Sequence, residues 1–300
     1  MAQDAKAWSC VCAKTKKRQE KQVNEDHVGS YMGATINSIA IADGVGSSFD
    51  AAVAAKSAVK GFLDGIKSKD KQGGVEIESI YDFWTKARNN IIKISQFPKY
   101  KEYRKALRTT LITLVEFQDR YLISYLGNGS VWYIRGDFWR FSNRSWPWCI
   151  SDLMVGHTIP ASSRREKLER WLGPGGSENR DISMLTVAKD VRYGEVLVLT
   201  TDGISSPDHL QLGHSVDNKL ERWIEVNPHM QRFVNSYLKN FLSKIDKTKE
   251  NPNAKCKILG KEVRRFLDKE KFEDDASMGV LISDRTIKFY LESQKQDSEN

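Results

Sequence analysis

Cysteine is scarce in this sequence. Of 300 residues only Cys10, Cys12, Cys149 and Cys256 are cysteine, with no CxxC pair and no histidine at zinc-ligand spacing, so neither a disulfide framework nor a zinc site is indicated. Cys10 and Cys12, two apart, would share one strand face as small core residues. No apolar run approaches the roughly 20 residues that cross a bilayer, and MAQDAKAWSC lacks the regions of a signal peptide. A cytoplasmic protein with reduced thiols and no membrane partner is expected. Also missing are internal repeats and any Pro- or Gly-rich linker, which argues for one domain with irregular stretches at 140–180 and 243–258.

Acidic excess is absent too. The net charge is +8, and residues 241–271 hold ten Lys or Arg against five Asp or Glu. That segment carries no nucleic-acid-binding motif and no aromatic stacking pattern, so it reads as a solvated helix face and nucleic acid is not the expected partner.

What is present is a soluble globular composition, 40% hydrophobic and 29% charged, large enough for a substantial core. AWSCVCAK and NSIAIAD read as strands. Residues 48–66 place Ala51, Ala55, Ala58, Val59, Phe62, Leu63 and Ile66 on one helical stripe, and a second helix is expected over about 77–96. TTLITLVEF, YLISYLG and SVWYIRGDFWRF then alternate with period two and read as an antiparallel meander. A helix near 162–172 follows, then strands ISMLTVA and EVLVLTTD, a periodic helix from Met230 to Leu242, a short helix at 259–268 and the strand SMGVLIS. TIKFYLE is expected to be a last strand, before the polar tail SQKQDSEN. Strands at both ends with helices between and hairpins in the middle argue for an α+β sandwich.

Acids punctuate the strand ends. Asp43 ends IAIAD, Asp202 ends VLVLTTD, and a glycine follows each. Asp274 and Asp275 precede the strand SMGVLIS, while Glu25 and Asp26 sit in VNEDHVG before another. An Asp-Gly pair alone is ordinary turn chemistry. If these ends share one edge of the sandwich, however, their carboxylates converge, and such a group cannot all stay ionised without a cation. Oxygen donors of this kind suit Mg²⁺ or Mn²⁺, and two such ions would activate water for attack on a phosphoryl group.

VNEDH, IAIADGVG, RTTLITL, YLGNGSVWYI, ERWLGPGG, VLVLTTDGISS and EDDASMGVLIS together resemble, in order, the motif series of the metal-dependent type 2C serine/threonine protein phosphatases, in particular the compact bacterial branch. The resemblance runs from about residue 8 to 285. It implies a four-layer α-β-β-α sandwich of two central antiparallel sheets, with residues 1–285 as a single phosphatase domain and 286–300 as last strand and tail. It further implies two Mn²⁺ or Mg²⁺ ions, with Asp43 bridging both, Gly44 offering its carbonyl, Asp202 and Asp275 holding one ion, and Glu25 and Asp26 positioning bound waters. The implied reaction is in-line attack by a metal-bridging hydroxide on phosphoserine or phosphothreonine. The implied partners are a phosphorylated protein and a Ser/Thr kinase.

Three departures bear on this reading. The family's phosphate-binding arginine is replaced by Lys21, with Arg18 nearby, and lysine cannot grip phosphate bidentately. Asn128 stands where many relatives have an aspartate associated with a third metal, a weaker ligand for a hard cation. Val45 follows Asp43-Gly44 where some relatives have a histidine acid, so the leaving alkoxide would take its proton from water. His27 and His157 read as strand-face and loop residues. The rival reading is a pseudophosphatase that binds phosphoproteins without cleaving them.

Overall fold

A computed structural model describes residues 9–103, 105–136, 148–162, 165–178, 181–190, 192, 194–205, 211–217, 220–245 and 251–299. In chain order, β1 (Cys10–Lys16), β2 (His27–Met32) and β3 (Asn37–Ala42) precede α1 (Ala51–Lys71), a 3-10 turn (Ile77–Ser79), α2 (Ile80–Ser95) and α3 (Pro98–Lys101). Then come β4 (Leu111–Glu116), β5 (Arg120–Leu126), β6 (Ser130–Gly136), β7 (Trp148–Asp152), β8 (Thr158–Ser162), β9 (Arg165–Leu168), β10 (Ser183–Ala188) and β11 (Glu195–Thr200). The chain continues through α4 (Asp202–Ser205), β12 (Gln211–Asp217), β13 (Leu220–Val226), α5 (Pro228–Arg232), a π-helical stretch (Phe233–Leu238), α6 (Lys239–Ile245), α7 (Pro252–Lys269), β14 (Ala276–Ile282) and α8 (Asp284–Glu299).

Two five-stranded sheets, in the orders β10-β5-β4-β3-β2 and β1-β14-β11-β6-β7, are antiparallel throughout. Their residues alternate between two buried environments, which is why β3, β4, β11 and β14 are apolar on both faces. Ile39, Ile41, Ile112, Leu114, Leu197, Leu199 and Leu281 fill the space between the sheets. On the outer face of the first sheet, Ala40 and Ala42 are small enough for the alanine stripe of α1 to lie close, with Phe62, Phe83 and Trp84 completing that core. Trp84 Nε1 donates to Ser124 Oγ at 2.8 Å, which fixes α2 on β5. Across the second sheet, Val198, Met278 and Val280 meet Phe233, Phe241, Val263 and Phe266. Three cores between four layers give the expected α-β-β-α sandwich.

Three element expectations are corrected. The meander does not hold together: β4 and β5 pair in the first sheet, whereas β6 pairs with β11 in the second. The chain changes sheets through Gly127 and Gly129, at φ +112° and +117°, where an added Cβ would overlap Thr110 and the Thr200 carbonyl. Only glycine allows that crossover. The described residues of 162–172 are not helical; β8 and β9 pair antiparallel with a bulge between Pro160 and Ser162. Leu172 is drawn into the core beside Thr109 by strand-like bridging, so pairing prevailed over the helix-favouring composition. TIKFYLE is helical, within α8, because Ile287, Tyr290 and Leu291 fall at helical spacing on the outer core. Ser283 Oγ accepts the Thr286 N–H at the start of that helix.

Other differences are of extent. α7 begins earlier than 259 because Asn251 Oδ1 caps the N–H groups of Asn253 and Ala254, with Pro252 in the first turn. Cys10 and Cys12 are buried as core thiols. DFWRF and the first residues of SWPWC lie outside the described residues. No helix among those described is long and apolar enough to cross a membrane.

Candidate active site

Strand register brings the acids together. His27 pairs with Ala42, so Asp26 and Asp43 continue the same end of β2 and β3. In the other sheet Thr200 pairs with Met278, which sets Thr201 and Asp202 beside the start of β14. A threonine ties the two sheets at this edge: Thr201 Oγ1 donates to Asp26 Oδ2 at 2.8 Å and accepts the Ser277 N–H at 3.0 Å. Asp43 is held through its backbone. Its N–H donates to Thr110 Oγ1 at 3.0 Å, and its carbonyl accepts the Thr110 N–H and the Thr109 hydroxyl, each at 2.8 Å.

Both Asp-Gly pairs have the same reason for glycine. A Cβ at Gly44 would stand 2.8 Å from the Ala51 backbone at the start of α1, and one at Gly203 would stand 2.0 Å from the Asp275 carbonyl oxygen. Each missing side chain lets a second element close on the acid's turn. Gly44 also donates its N–H to the Glu25 carbonyl at 3.1 Å, linking VNED to the Asp43 turn.

The carboxyl groups feel one another. Burial raises the Asp26 carboxyl to about 7 against the lowering influence of the neighbouring Asp43, Ser277 and Thr201 side chains. Asp43 is raised by burial and then by the charges of Asp202 and Asp26. Asp202 is raised by burial and by Asp274, while its Oδ2 accepts the Asn128 amide at 2.8 Å. Asp26, Asp43 and Asp202 are therefore one electrostatic group, and Asp274 adjoins it. Asp275 is placed differently: its buried carboxylate accepts the backbone N–H groups of Arg18 at 2.6 Å and Glu25 at 2.7 Å.

Lys21 is the cluster's own cation. Its Nζ lies 2.8 Å from Glu25, 2.6 Å from Asp274 and 3.5 Å from Asp275. Burial pulls its pKa down, but the hydrogen bonds to Asp274 and Glu25 prevail and the ammonium is held more firmly protonated. Arg18 pairs instead with the exposed Glu20 at 2.7 Å. Lys21→Met is expected to destabilise the metal-free protein by about 1–2 kcal/mol, because three carboxylates lose a shared counter-charge. Thermal melts in EDTA test this, and an unchanged midpoint would show that Lys21 neutralises nothing.

His157 has a definite task. Its Nδ1 accepts the Gly127 N–H at 3.1 Å, which leaves Nε2–H to donate to Ser183 Oγ at 2.8 Å. The ring also stacks on Tyr125 and so braces the turn carrying Asn128. His27 is half-buried, its pKa lowered by burial and by Lys56, and is placed as a strand residue. Sequence reasoning passed over Thr109, Thr110 and Thr201 as site residues. Their signal was position: each adjoins an acid-bearing turn in space or in the motifs RTTL and TTDG.

The donor set fits hard divalent cations. It is all oxygen, it is partly shielded from water, and Asp26 Oδ1 is buried with no hydrogen-bond partner. As the side chains stand, no three His, Cys, Asp or Glu groups among the described residues close on one ion. Lys21 and the backbone N–H groups hold part of the set instead.

The protein phosphatase 2C family profile matches residues 14–245. A bacterial serine phosphatase structure superposes with a TM-score of 0.55 at 15% identity, over 91% of this chain and 96% of that one. The Mycobacterium tuberculosis serine/threonine phosphatase PstP/Ppp gives 0.54 at 15% identity, over 91% and 98%. The catalytic domain of the serine threonine protein phosphatase PstP, in complex with two manganese ions, gives 0.54 at 16% identity, over 91% and 97%. No curated protein sequence matches significantly. At these identities the solved structures establish the shared fold, and the profile, covering more than half of the sequence, establishes kinship: this chain belongs to the protein phosphatase 2C family.

Proposed function

We propose that the chain is a Mn²⁺- or Mg²⁺-dependent serine/threonine protein phosphatase whose catalytic unit is residues 1–285. The observation that carries this is the convergence of Asp26, Asp43 and Asp202, with one Asp26 oxygen buried and unpartnered. Asp43, Asp202 and Asp275 with the Gly44 carbonyl are the proposed metal ligands, and Glu25 and Asp26 position bound water. Bound divalent ions would supply positive charge to the phosphoryl oxygens and bring the ionisation of water towards neutral pH. Asn128 is the weaker donor where a third ion would sit.

The chain's own groups have separable tasks. Thr109 and Thr110 hold the Asp43 turn, Thr201 holds Asp26, and Gly203 keeps Asp202 against β14. Lys21 and Arg18 are the proposed holders of the scissile phosphate, Lys21 being already at the carboxylates and Arg18 at the rim. Val45 offers no proton, so the departing serine or threonine oxygen takes one from water. The substrate is a cytoplasmic phosphoprotein opposed by a Ser/Thr kinase.

Turnover of p-nitrophenyl phosphate and of a phosphothreonine peptide, with Mn²⁺, Mg²⁺ or EDTA, tests the proposal. Hydrolysis should appear with metal and vanish with EDTA. Activity indifferent to the chelator overturns it. Phosphopeptide binding without turnover would instead favour a pseudophosphatase, a reading for which the lysine among the acids is the relevant observation.

A further inference from the structure

Three segments run side by side at the rim of the acid centre. Gly44 bridges to Thr109, and Thr109 bridges to Leu172. Arg108 precedes Thr109, and Trp171 precedes Leu172. The Arg108 carbonyl accepts the Val45 N–H at 3.0 Å, and its own N–H donates to Ser48 Oγ at 3.0 Å. Arg108 is thus fastened to the Asp43-Gly44-Val45 turn by its backbone, which leaves the guanidinium for another purpose.

That guanidinium lies over the Trp171 ring, 4.5 Å from its centroid. Stacking on an aromatic face satisfies the cation's plane and leaves its in-plane N–H groups seeking acceptors. Arg108 makes no ion pair among the described residues, and its Nε is buried without a hydrogen-bond partner. Trp171 Nε1 is likewise buried and unpartnered. Gly176 closes over that edge of the indole: a Cβ there would lie 2.8 Å from Trp171 Nε1. A half-buried guanidinium held flat on an aromatic face, with its Nε lacking an acceptor, forms a site for an oxyanion. Lys21 and Arg18 are the proposed holders of the scissile phosphate, which leaves Arg108 for a second anion.

We infer that Arg108 and Trp171 form a subsite for a second anionic group of the substrate, one flanking the scissile phosphate. The class of ligand is a carboxylate or phosphoryl oxyanion on a neighbouring residue of the phosphoprotein. The subsite rests on the phosphatase reading, since that reading places the reacting phosphate at the adjoining acids. It selects phosphopeptides with acidic or doubly phosphorylated flanks.

The test uses the full chain with Mn²⁺ and three phosphothreonine peptides, alike except that the flanking residues are Glu, phosphoserine or Ala, with p-nitrophenyl phosphate as a control. Wild type should favour the anionic flanks, and the better of the two identifies the oxyanion. Arg108→Gln should cut kcat/KM for these peptides by about tenfold, chiefly through KM, as the loss of a charge-assisted pair predicts. The Ala-flanked peptide and p-nitrophenyl phosphate should change little, and Arg108→Lys should recover part of the loss. Trp171→Phe, which keeps the stacking face, should change little, whereas Trp171→Ala, which removes it, should weaken anionic flanks to a lesser degree than Arg108→Gln. Equal losses on every substrate, or no flank preference in wild type, overturn the inference. Calorimetric titration of the same peptides supplies a readout independent of turnover. If nothing is hydrolysed, the phosphatase reading fails, while anionic-flank binding lost in Arg108→Gln still upholds the subsite and its absence in wild type ends it.

Discussion

Asp43→Asn should nearly abolish phosphatase activity while making the metal-free protein more stable. Asp43 lies next to two acids, Asp26 and Asp202, and its charged form is opposed by burial and by both neighbours. An amide of the same shape removes that repulsion, so unfolding in EDTA should become harder by about 1–3 kcal/mol. The same change removes a proposed metal ligand, and kcat with Mn²⁺ should fall on the order of a thousandfold, the scale of losing charge stabilisation at a reacting centre. Mn²⁺ should raise the wild-type melting temperature and raise that of Asp43→Asn far less. A variant less stable than wild type in EDTA would mean that the acids do not repel one another. One with wild-type turnover would remove Asp43 from the mechanism.

A pH dependence accompanies this result. Unfolded, an aspartate loses its proton near pH 4, whereas Asp26 in the folded chain holds it to about 7. Between those values the native state binds the extra proton, so its stability falls as pH rises through that window. Asp43 and Asp202 shift in the same direction. Metal-free wild type is therefore expected to melt higher at pH 5 than at pH 8, and saturating Mn²⁺ should narrow or invert the difference, because a bound cation favours the ionised acids.

Much of the fold and of this site is legible in the sequence because the signals are local and mutually consistent. Period-two runs interrupted at Asp43 and Asp202 announce strands that end on acids, and the alanine stripe of α1 announces a helix lying close on a sheet. What escaped notice depends on partners distant in sequence. Arg165–Leu168 have helical composition but pair with β8, while TIKFYLE has strand composition but finds an apolar surface for Ile287 and Tyr290. The two neighbouring acids before β14 illustrate the limit within the site. Sequence alone cannot say which of Asp274 and Asp275 meets Lys21 at 2.6 Å and which is taken up by the N–H groups of Arg18 and Glu25. Thr201 Oγ1 is a similar case, since its value lies in joining Asp26 to Ser277 across two sheets.

Gly203→Ala should be more damaging than its chemistry suggests. The added methyl would stand 2.0 Å from the Asp275 carbonyl oxygen and 3.0 Å from its carbonyl carbon. These are backbone atoms at the start of β14, which is buried along its whole length and paired with both β1 and β11. No rotamer change relieves such an overlap, so either the Asp202 turn or the strand end must move. Overpacking of this kind costs about 1–3 kcal/mol. The displacement falls on the two acids proposed to share an ion, and a 1 Å misplacement costs on the order of a hundredfold in rate. Gly46→Ala is the control, because its nearest neighbour would be Glu25 Oε2 at 3.7 Å, an ordinary contact. Side by side, Gly203→Ala should lower both melting temperature and kcat, and Gly46→Ala neither. Similar behaviour of the two variants would show that close packing of Asp202 against β14 is not what positions the acids.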